Sequence, residues 1–546
     1  MVLAMLVAQS LRVPGIGLAL ALILLLQRES PGVTIRNILQ IFSGAVLACI
    51  ACLVWVQLTD GTEVFRFIGF VLGVFIAGFC MASTRLPLLF TIFGFYGFVD
   101  LAGWDTHRAA SSAVTSMLYN MASLGIALGM AGLVNYLCGS RHPAEALQDE
   151  LNKRLRLLAD FHEERSRPGR RHGLTALHHR LVQYADAGEE ALLKLYEELR
   201  SADPAHLQPG IRFRIGLLTS VLQQSSVSGF EPPAAHTAHR HIAQRCEHLL
   251  DARRPEPTML IADAPATLRD IDTQLALYNE TALETRREDT KPATARQAFR
   301  LFHSDAFHTP DAALYSLKLT LSATICYVLY NAVAWPGILT CVVTVLFTGL
   351  SSTGAMKQKQ IYRLVGAAIG GAIAILVESL LFPNMDSITA LVLVAGCVCM
   401  LSAWVSRSPR IGYIGVQIAF AFFLTDLAAF SAADQIAPAR DRVIGIALGI
   451  CVMWFVFDQL WPARPSDLLR SILVRMHSNA GQSGMLTEPS ARAAMRVEVS
   501  ADLAQMQVLA QSAQFDFSAN QQREQARTRR LTREITHAAA KFYKNL

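Results

Sequence analysis

Charge is scarce in this sequence. Only 17% of its 546 residues are Asp, Glu, Lys or Arg, against roughly 25% in an ordinary soluble domain, while 52% are hydrophobic. The deficit is local: residues 141–311 and 462–546 hold most of the charge, and the remainder is a series of apolar stretches broken by short polar loops. That is the pattern of a chain that crosses a membrane repeatedly. Other absences exclude whole classes. There is no Gly-x-x-x-x-Gly-Lys-[Ser/Thr] run, hence no P-loop, and neither His-Glu-x-x-His nor Gly-x-Ser-x-Gly, so nothing points to an enzyme or a cofactor. Of ten cysteines only Cys246 falls clearly in a soluble segment; the others read as small buried hydrophobes, and neither a disulfide framework nor a thiol redox pair is expected. The net charge of +6 is spread through closely mixed acids and bases, as in "NKRLRLLADFHEERSRPGRR", and a protein without a single-sign stripe is not expected to bind nucleic acid.

What is present is a set of runs near the length needed to span hydrocarbon. "QIFSGAVLACIACLVWVQL", "VFRFIGFVLGVFIAGFCMA", "PLLFTIFGFYGFVDLAGW" and "AASSAVTSMLYNMASLGIALGMAGLVNYL" follow the shorter "GIGLALALILLL"; six more lie between residues 312 and 461. The expected fold is therefore all-α and polytopic, with membrane blocks at 1–140 and 312–461, each followed by a helical soluble domain, at 141–311 and 462–546.

The two blocks align on each other. Pro14-Gly15-Ile16 meets Pro336-Gly337-Ile338 at an offset of 322, and Gly44 meets Gly366, Arg85 meets Arg407 and Pro87 meets Pro409 at the same offset. Asp100-Leu101-Ala102 meets Asp426-Leu427-Ala428 at 326, and the string GIALG at 125–129 returns at 445–449. The order of so many markers predicts a tandem six-helix unit. By the same overlay residues 1–12 are the tail of a first helix too short to span, which predicts a misassigned start or a truncated chain. They lack the basic stretch of a signal peptide.

Basic residues set the orientation. One set of loops carries Arg28, Arg36, Arg85, Lys357, Lys359, Arg363, Arg407 and Arg410; the other carries mainly Asp60, Glu63, Asp105, Asp386 and Asp434, with Arg108, Arg440 and Arg442 as exceptions. The basic set is expected in the cytoplasm. An even number of helices per unit then keeps both halves the same way up, as a parallel repeat, and places both soluble segments in the cytoplasm.

Several residues are candidates for chemistry. Asp100 and Asp426 are repeat partners, read either as carboxylates near helix ends reaching water or as a pair of protonation sites. Glu378 and Asp458 lack partners in the first half and read as interfacial. Lys318 lies about two turns inside its helix; it either snorkels or attracts an anionic substrate. Tyr413 and Gln417, four apart, share a helix face that either lines a path or bonds to a neighbouring helix, while Asp426 lies about half a turn away from it. The pairs Gly125/Gly129, Gly445/Gly449 and Gly366/Gly370 suit close helix contacts. In "HTAHRHIAQRCEH", His236 and His239 have a spacing open to metal binding, but without a supporting Cys pair the run reads as a polar helix face, and no metal is expected.

Taken with these residues, the chain resembles the fusaric acid resistance family, which includes aromatic-acid exporters and inner-membrane multidrug-resistance subunits. "YRLVGAAIGG" is similar to its Arg-x-x-Gly-x-x-x-Gly stretch through Arg363, Gly366 and Gly370. "SPRIGYIGVQIAFAF" is similar to its Tyr-x-Gly-x-Gln stretch through Tyr413, Gly415 and Gln417, and "DRVIGIALG" to its Asp-Arg-x-x-Gly through Asp441, Arg442 and Gly445, with Gly449 one turn on. The resemblance implies a bacterial inner-membrane exporter driven by the proton gradient, working with a periplasmic adaptor and an outer-membrane channel on aromatic carboxylic acids or other amphipathic compounds. Glycine-rich faces make a homodimer a further expectation. Two other classes stay open: an anion channel, since six-helix blocks of plant malate-permeable channels are distantly similar, and a membrane scaffold or sensor whose soluble domains bind partners.

Overall fold

The computed structural model describes the chain outside residues 27–30, 60–61, 106–108, 139–142, 168–171, 203–209, 229–235, 252–263, 281–300, 303–305, 308–309, 350–352, 386, 409–410, 427–436, 461–464, 483–488, 514–520 and 545–546. The described residues are helical almost throughout, with one isolated β-bridge between Thr84 and Phe302. They divide into two compact units, residues 1–140 with 297–463 and residues 141–296 with 464–546.

The apolar unit begins with α1 (Val2–Ser10), α2 (Ile16–Ile23), α3 (Pro31–Leu58), α4 (Glu63–Ser83), α5 (Pro87–Asp105) and α6 (Ala110–Cys138). The soluble segment follows as α7 (Pro143–Ser166), α8 (His172–Ala187), α9 (Glu190–Ala202), α10 (Ile211–Ser228), α11 (His236–Leu250) and α12 (Ala266–Glu280). The chain returns to the apolar unit with α13 (Asp311–Ala332), α14 (Thr340–Thr348), α15 (Thr353–Leu376), α16 (Ile388–Ser406), α17 (Gly412–Asp426) and α18 (Ala437–Trp454), and closes with α19 (Pro465–Gln482), α20 (Pro489–Ser512) and α21 (Gln521–Lys544). α15 and α18 each run on into a π-helical turn, Val377–Leu381 and Phe455–Leu460.

Among the described residues eight helices are long and apolar enough to cross a membrane, so the protein is an all-α polytopic membrane protein. Two apolar segments, Pro336–Thr348 and Gly412–Thr425, are shorter, and α2 has only 8 residues. The second helix of each block is short because a proline-glycine turn at Pro14 or Pro336 delays its start.

Helix pairing follows one pattern in both blocks. α3 packs on α5 and α6 as α15 packs on α17 and α18; α2 lies on α6 as α14 lies on α18. Across the blocks α13 packs on α4 and α1 on α16, while α2 meets α17 and α14 meets α5. α1 and α13 also end alike. Arg12 (φ 54) and Ala334 (φ 51) are the non-glycine residues with positive φ among those described. Val13 N–H donates to Ala8 O at 3.0 Å and Trp335 N–H to Tyr330 O at 3.1 Å, while Arg12 N–H and Ala334 N–H reach Gln9 O and Asn331 O. Each is a Schellman closure.

Close approach explains some glycines and not others. A Cβ on Gly44 would stand 2.5 Å from Leu89 O of α5, and one on Gly366 2.7 Å from Ile414 O of α17; Gly370 similarly faces Ile418 O at 2.5 Å. Gly445 and Gly449 let α18 lie on α14, with Ile338 O and Cys341 O at 2.8 and 2.6 Å from the added carbon. The first copy of the string behaves differently. Among the described residues a Cβ on Gly125 would meet only the Phe42 ring, at 3.6 Å, and one on Gly129 nothing within 4 Å. The shared GIALG therefore does not reflect shared close contacts: where α18 meets the α14 backbone, α6 stands off against an aromatic ring.

In the polar unit the two soluble segments pack on each other, α10 on α21 and α8 on α20. Glu189 N–H donates to Ser500 Oγ at 2.9 Å, Gln507 Nε2 to Gln183 O at 2.8 Å and Thr536 Oγ1 to Asp186 Oδ1 at 3.0 Å. The His run does not act as a surface face throughout. His239 is buried against His162, Nδ1 to Nδ1 at 2.9 Å, and burial holds its pKa down at about 4. Burial also raises Asp186 to about 6, partly offset by the Thr536 hydroxyl. Because the folded value lies above that of a free aspartate, Asp186 favours folding at low pH and its contribution is lost as pH rises through about 6. Asp186→Asn is therefore expected to raise the melting temperature of the detergent-solubilised full chain above pH 6, by an amount equivalent to roughly 3 kcal/mol at most, and to flatten its pH dependence between about pH 4 and 6. A variant melting curve with the wild-type pH slope would contradict this.

Candidate functional site

The most polar interior of the apolar unit lies between α14, α15, α17 and α18. On α15 the residues Lys357, Gln360 and Arg363 follow at intervals of three, within about a third of a turn, and all are buried, at 3%, 0% and 5% exposure. On α14, Thr340, Thr344 and Thr348 follow at intervals of four; Thr344 meets Arg363, Thr348 shares Met453 with Gln360, and Thr340 faces α18 at Arg442 O. Thr344 and Thr348 donate to the carbonyls of Thr340 and Thr344, at 2.8 and 2.6 Å, which leaves their oxygen lone pairs to the interior.

Arg363 occupies the middle of this file. Its Nε donates to Thr344 Oγ1 at 3.2 Å and its Nη1 to Gln417 Oε1 of α17 at 2.9 Å, while the guanidinium lies 5.8 Å from the Phe347 ring centre. No carboxylate is among its partners in the described residues. A buried arginine normally meets an acid; here three neutral groups orient a cation whose remaining N–H groups suit an anion in a bidentate geometry. The charge tally of the sequence counted Arg363 with the loops, whereas the structure buries it inside α15. At the offset of 322, Leu22 and Ile41 stand where Thr344 and Arg363 stand in the second block, and Ile92, which faces Gly44 as Gln417 faces Gly366, stands where Gln417 does; all three are buried. The cluster has no polar counterpart in the first half.

Towards the start of α15, Gln360 accepts from Trp454 Nε1 at 2.7 Å and donates to Met453 Sδ at 3.2 Å. Lys357 Nζ pairs with Asp458 Oδ2 at 3.1 Å, so Asp458 is held by a partner from another helix. Lys318, 8% exposed, lies 5.9 Å from the centre of Phe457. Lys318 and Lys357 thus both meet the π-helical turn Phe455–Leu460. Tyr413 is separate from the cluster: its hydroxyl is buried without a hydrogen bond among the described residues and Lys359 Nζ lies 5.3 Å from its ring. Tyr413 and Gln417 therefore meet different partners.

At the other end Asp441 accepts from Trp335 Nε1 at 3.0 Å and pairs with Arg440 at 2.9 Å. Arg442 Nη2 donates to Leu424 O at 2.6 Å, near the end of α17. These two residues fasten the turn before α14 and the last turn of α17. Asp100 is 2% exposed on α5 and neither of its oxygens has a hydrogen-bond partner among the described residues. Asp426 is the last residue of α17; its side chain lies outside the described residues. Glu378 is buried at 8% exposure in the other π-helical turn.

Thr344, Gln360 and the pairing of Lys357 with Asp458 were not singled out from the sequence. The signal for them is the three-residue spacing of polar residues in "KQKQIYR" and the four-residue spacing of threonines in "TCVVTVLFT".

This architecture defines a polytopic helical membrane protein with a buried cationic cluster in one half. The chain is similar to multidrug resistance protein MdtO of Shigella flexneri, 34% identical over 187 residues that make up 34% of this chain and 27% of that protein. It is likewise similar to multidrug resistance protein MdtO of Escherichia coli strain K12, 34% identical over 187 residues, 34% of this chain and 26% of that one. The chain thus matches about a quarter of the length of these relatives. No family model matches the chain, and no solved structure matches it.

Proposed function

We propose that this protein is the membrane subunit of an efflux system of the bacterial inner membrane and that it exports amphipathic organic anions, aromatic carboxylic acids among them. The observation that carries the reading is Arg363: a cation buried in a membrane unit, oriented by Thr344 and Gln417 and lacking an acidic partner among the described residues. A charge in that setting is costly, and an organic carboxylate would complete it. The names of the relatives support efflux. The paired helix contacts and matching helix ends support two copies standing the same way up, with the start of α15 on the cytoplasmic side by the charge bias of the loops. Proton drive rests on Asp100, a buried carboxylate without a hydrogen bond among the described residues, with Asp426 as its repeat partner. A periplasmic adaptor and an outer-membrane channel complete the system by resemblance.

Cells carrying the gene are expected to retain several-fold less labelled benzoate than cells lacking it, with a protonophore erasing the difference. Equal retention in both would overturn export. A current that reverses at the benzoate equilibrium potential, in place of uphill movement, would favour a channel built on the same cations.

A further inference from the structure

α18 abandons α-helical geometry at Phe455, and its last turn, Phe455–Leu460, is π-helical. Such turns carry one extra residue, are rare, and concentrate at functional sites because the register can relax. This one is held by side chains from two other helices: Lys357 of α15 on Asp458 and Lys318 of α13 over Phe457, with the preceding Trp454 bonded to Gln360. The Lys357–Asp458 pair is lopsided. The side chain of Lys357 is 4% exposed and that of Asp458 is 28% exposed, so the cation is interior and its counterion stands at the rim.

We propose that Lys357 is a first binding station for the transported organic anion and that the π-helical turn is the gate over it, opened when a substrate carboxylate takes the place of Asp458. The proposal rests on the reading of Arg363 as an anion site and extends it along the same stripe of α15. Replacing one carboxylate by another on the same ammonium keeps Lys357 paired in both states, so no unpaired buried charge forms. Asp458, already at the rim, passes into water at small cost. Freed of Lys357, the turn carrying Phe457 and Asp458 can move away from α13 and α15, whose Lys318 and Lys357 hold it. The anion then has six residues of α15, about 9 Å, to travel to reach the guanidinium.

The full chain in liposomes, assayed with labelled benzoate, separates this from the parent reading. Asp458→Asn removes the competitor and the latch, and is expected to lower half-saturating benzoate at least fivefold while raising passive leak. The double variant Lys357→Asp with Asp458→Lys restores a pair of the same charges in exchanged places, so leak is expected to return to wild type while half-saturation rises, because the cation now sits at the rim. Unchanged half-saturation and leak in Asp458→Asn, in liposomes where Arg363→Gln has lost transport, would overturn the gate and leave the anion site standing. If Asp458→Asn does not fold, the exchanged pair decides: wild-type half-saturation in it overturns the station. Wild-type transport by Arg363→Gln would remove the parent reading itself.

Discussion

Arg363→Gln is expected to abolish benzoate binding and transport while leaving the protein in the membrane at wild-type abundance. Charge-assisted hydrogen bonds between a buried guanidinium and a carboxylate are the strong ones, and truncating one side of such a pair costs about 2–5 kcal/mol, or about 30- to several thousand-fold in affinity. Folding has no comparable loss to bear. Glutamine keeps a polar group for Thr344 or Gln417, and the site sheds a buried charge that lacks an acidic partner among the described residues, so the melting temperature is expected to hold or rise. Arg363→Lys separates charge from shape. An ammonium is a point charge that cannot hold Thr344, Gln417 and a carboxylate in one planar fork, so an intermediate loss of about 10- to 100-fold is expected. Wild-type benzoate affinity in Arg363→Gln, measured on purified protein, would remove this residue from the anion site.

The amino-acid sequence reveals the apolar membrane-crossing runs and the all-helical class, because hydrocarbon imposes a length and polarity that show directly in a run of residues. It reveals Gly366 as a contact residue, since small residues four apart on an apolar helix have few other uses. Arg363 is misread from the same stretch. Counting basic residues near helix ends places it with the loops, and what sets it apart is its company: Thr344 and Gln417 lie 19 and 54 residues away and meet it only through the packing of α14 and α17 on α15. The GIALG strings show the converse. Their letters agree, yet Gly445 touches the backbone ahead of α14 while Gly125 faces the ring of Phe42. Letters alone therefore do not say which neighbouring helix a glycine faces: Gly445 turns to the segment leading into α14, and Gly125 to α3.

Asp100→Asn is expected to separate exchange from uphill transport. The carboxyl is 2% exposed, inside α5, and neither oxygen accepts a hydrogen bond from the described residues. An ionised carboxylate in such surroundings is strongly disfavoured, while the protonated acid is tolerated. In the proposed exporter Asp100 would change charge only when the surrounding helices rearrange to admit water or a cation, which would tie one proton to one conformational cycle. Asparagine keeps the shape and fixes the group neutral. Gradient-driven benzoate accumulation in liposomes is expected to fall by about 10-fold or more, the loss of roughly 1.4 kcal/mol or more of coupling, while benzoate-for-benzoate exchange stays within about twofold. Exchange needs the site at Arg363 but no net proton movement, so it survives. Asp426→Asn is expected to lower export less, since Asp426 is the last residue of α17 whereas Asp100 has five residues of α5 beyond it, and cost falls towards the membrane surface. Full gradient-driven accumulation by Asp100→Asn would take the proton away from this carboxylate, and a parallel loss of exchange would make Asp100 part of the anion path instead.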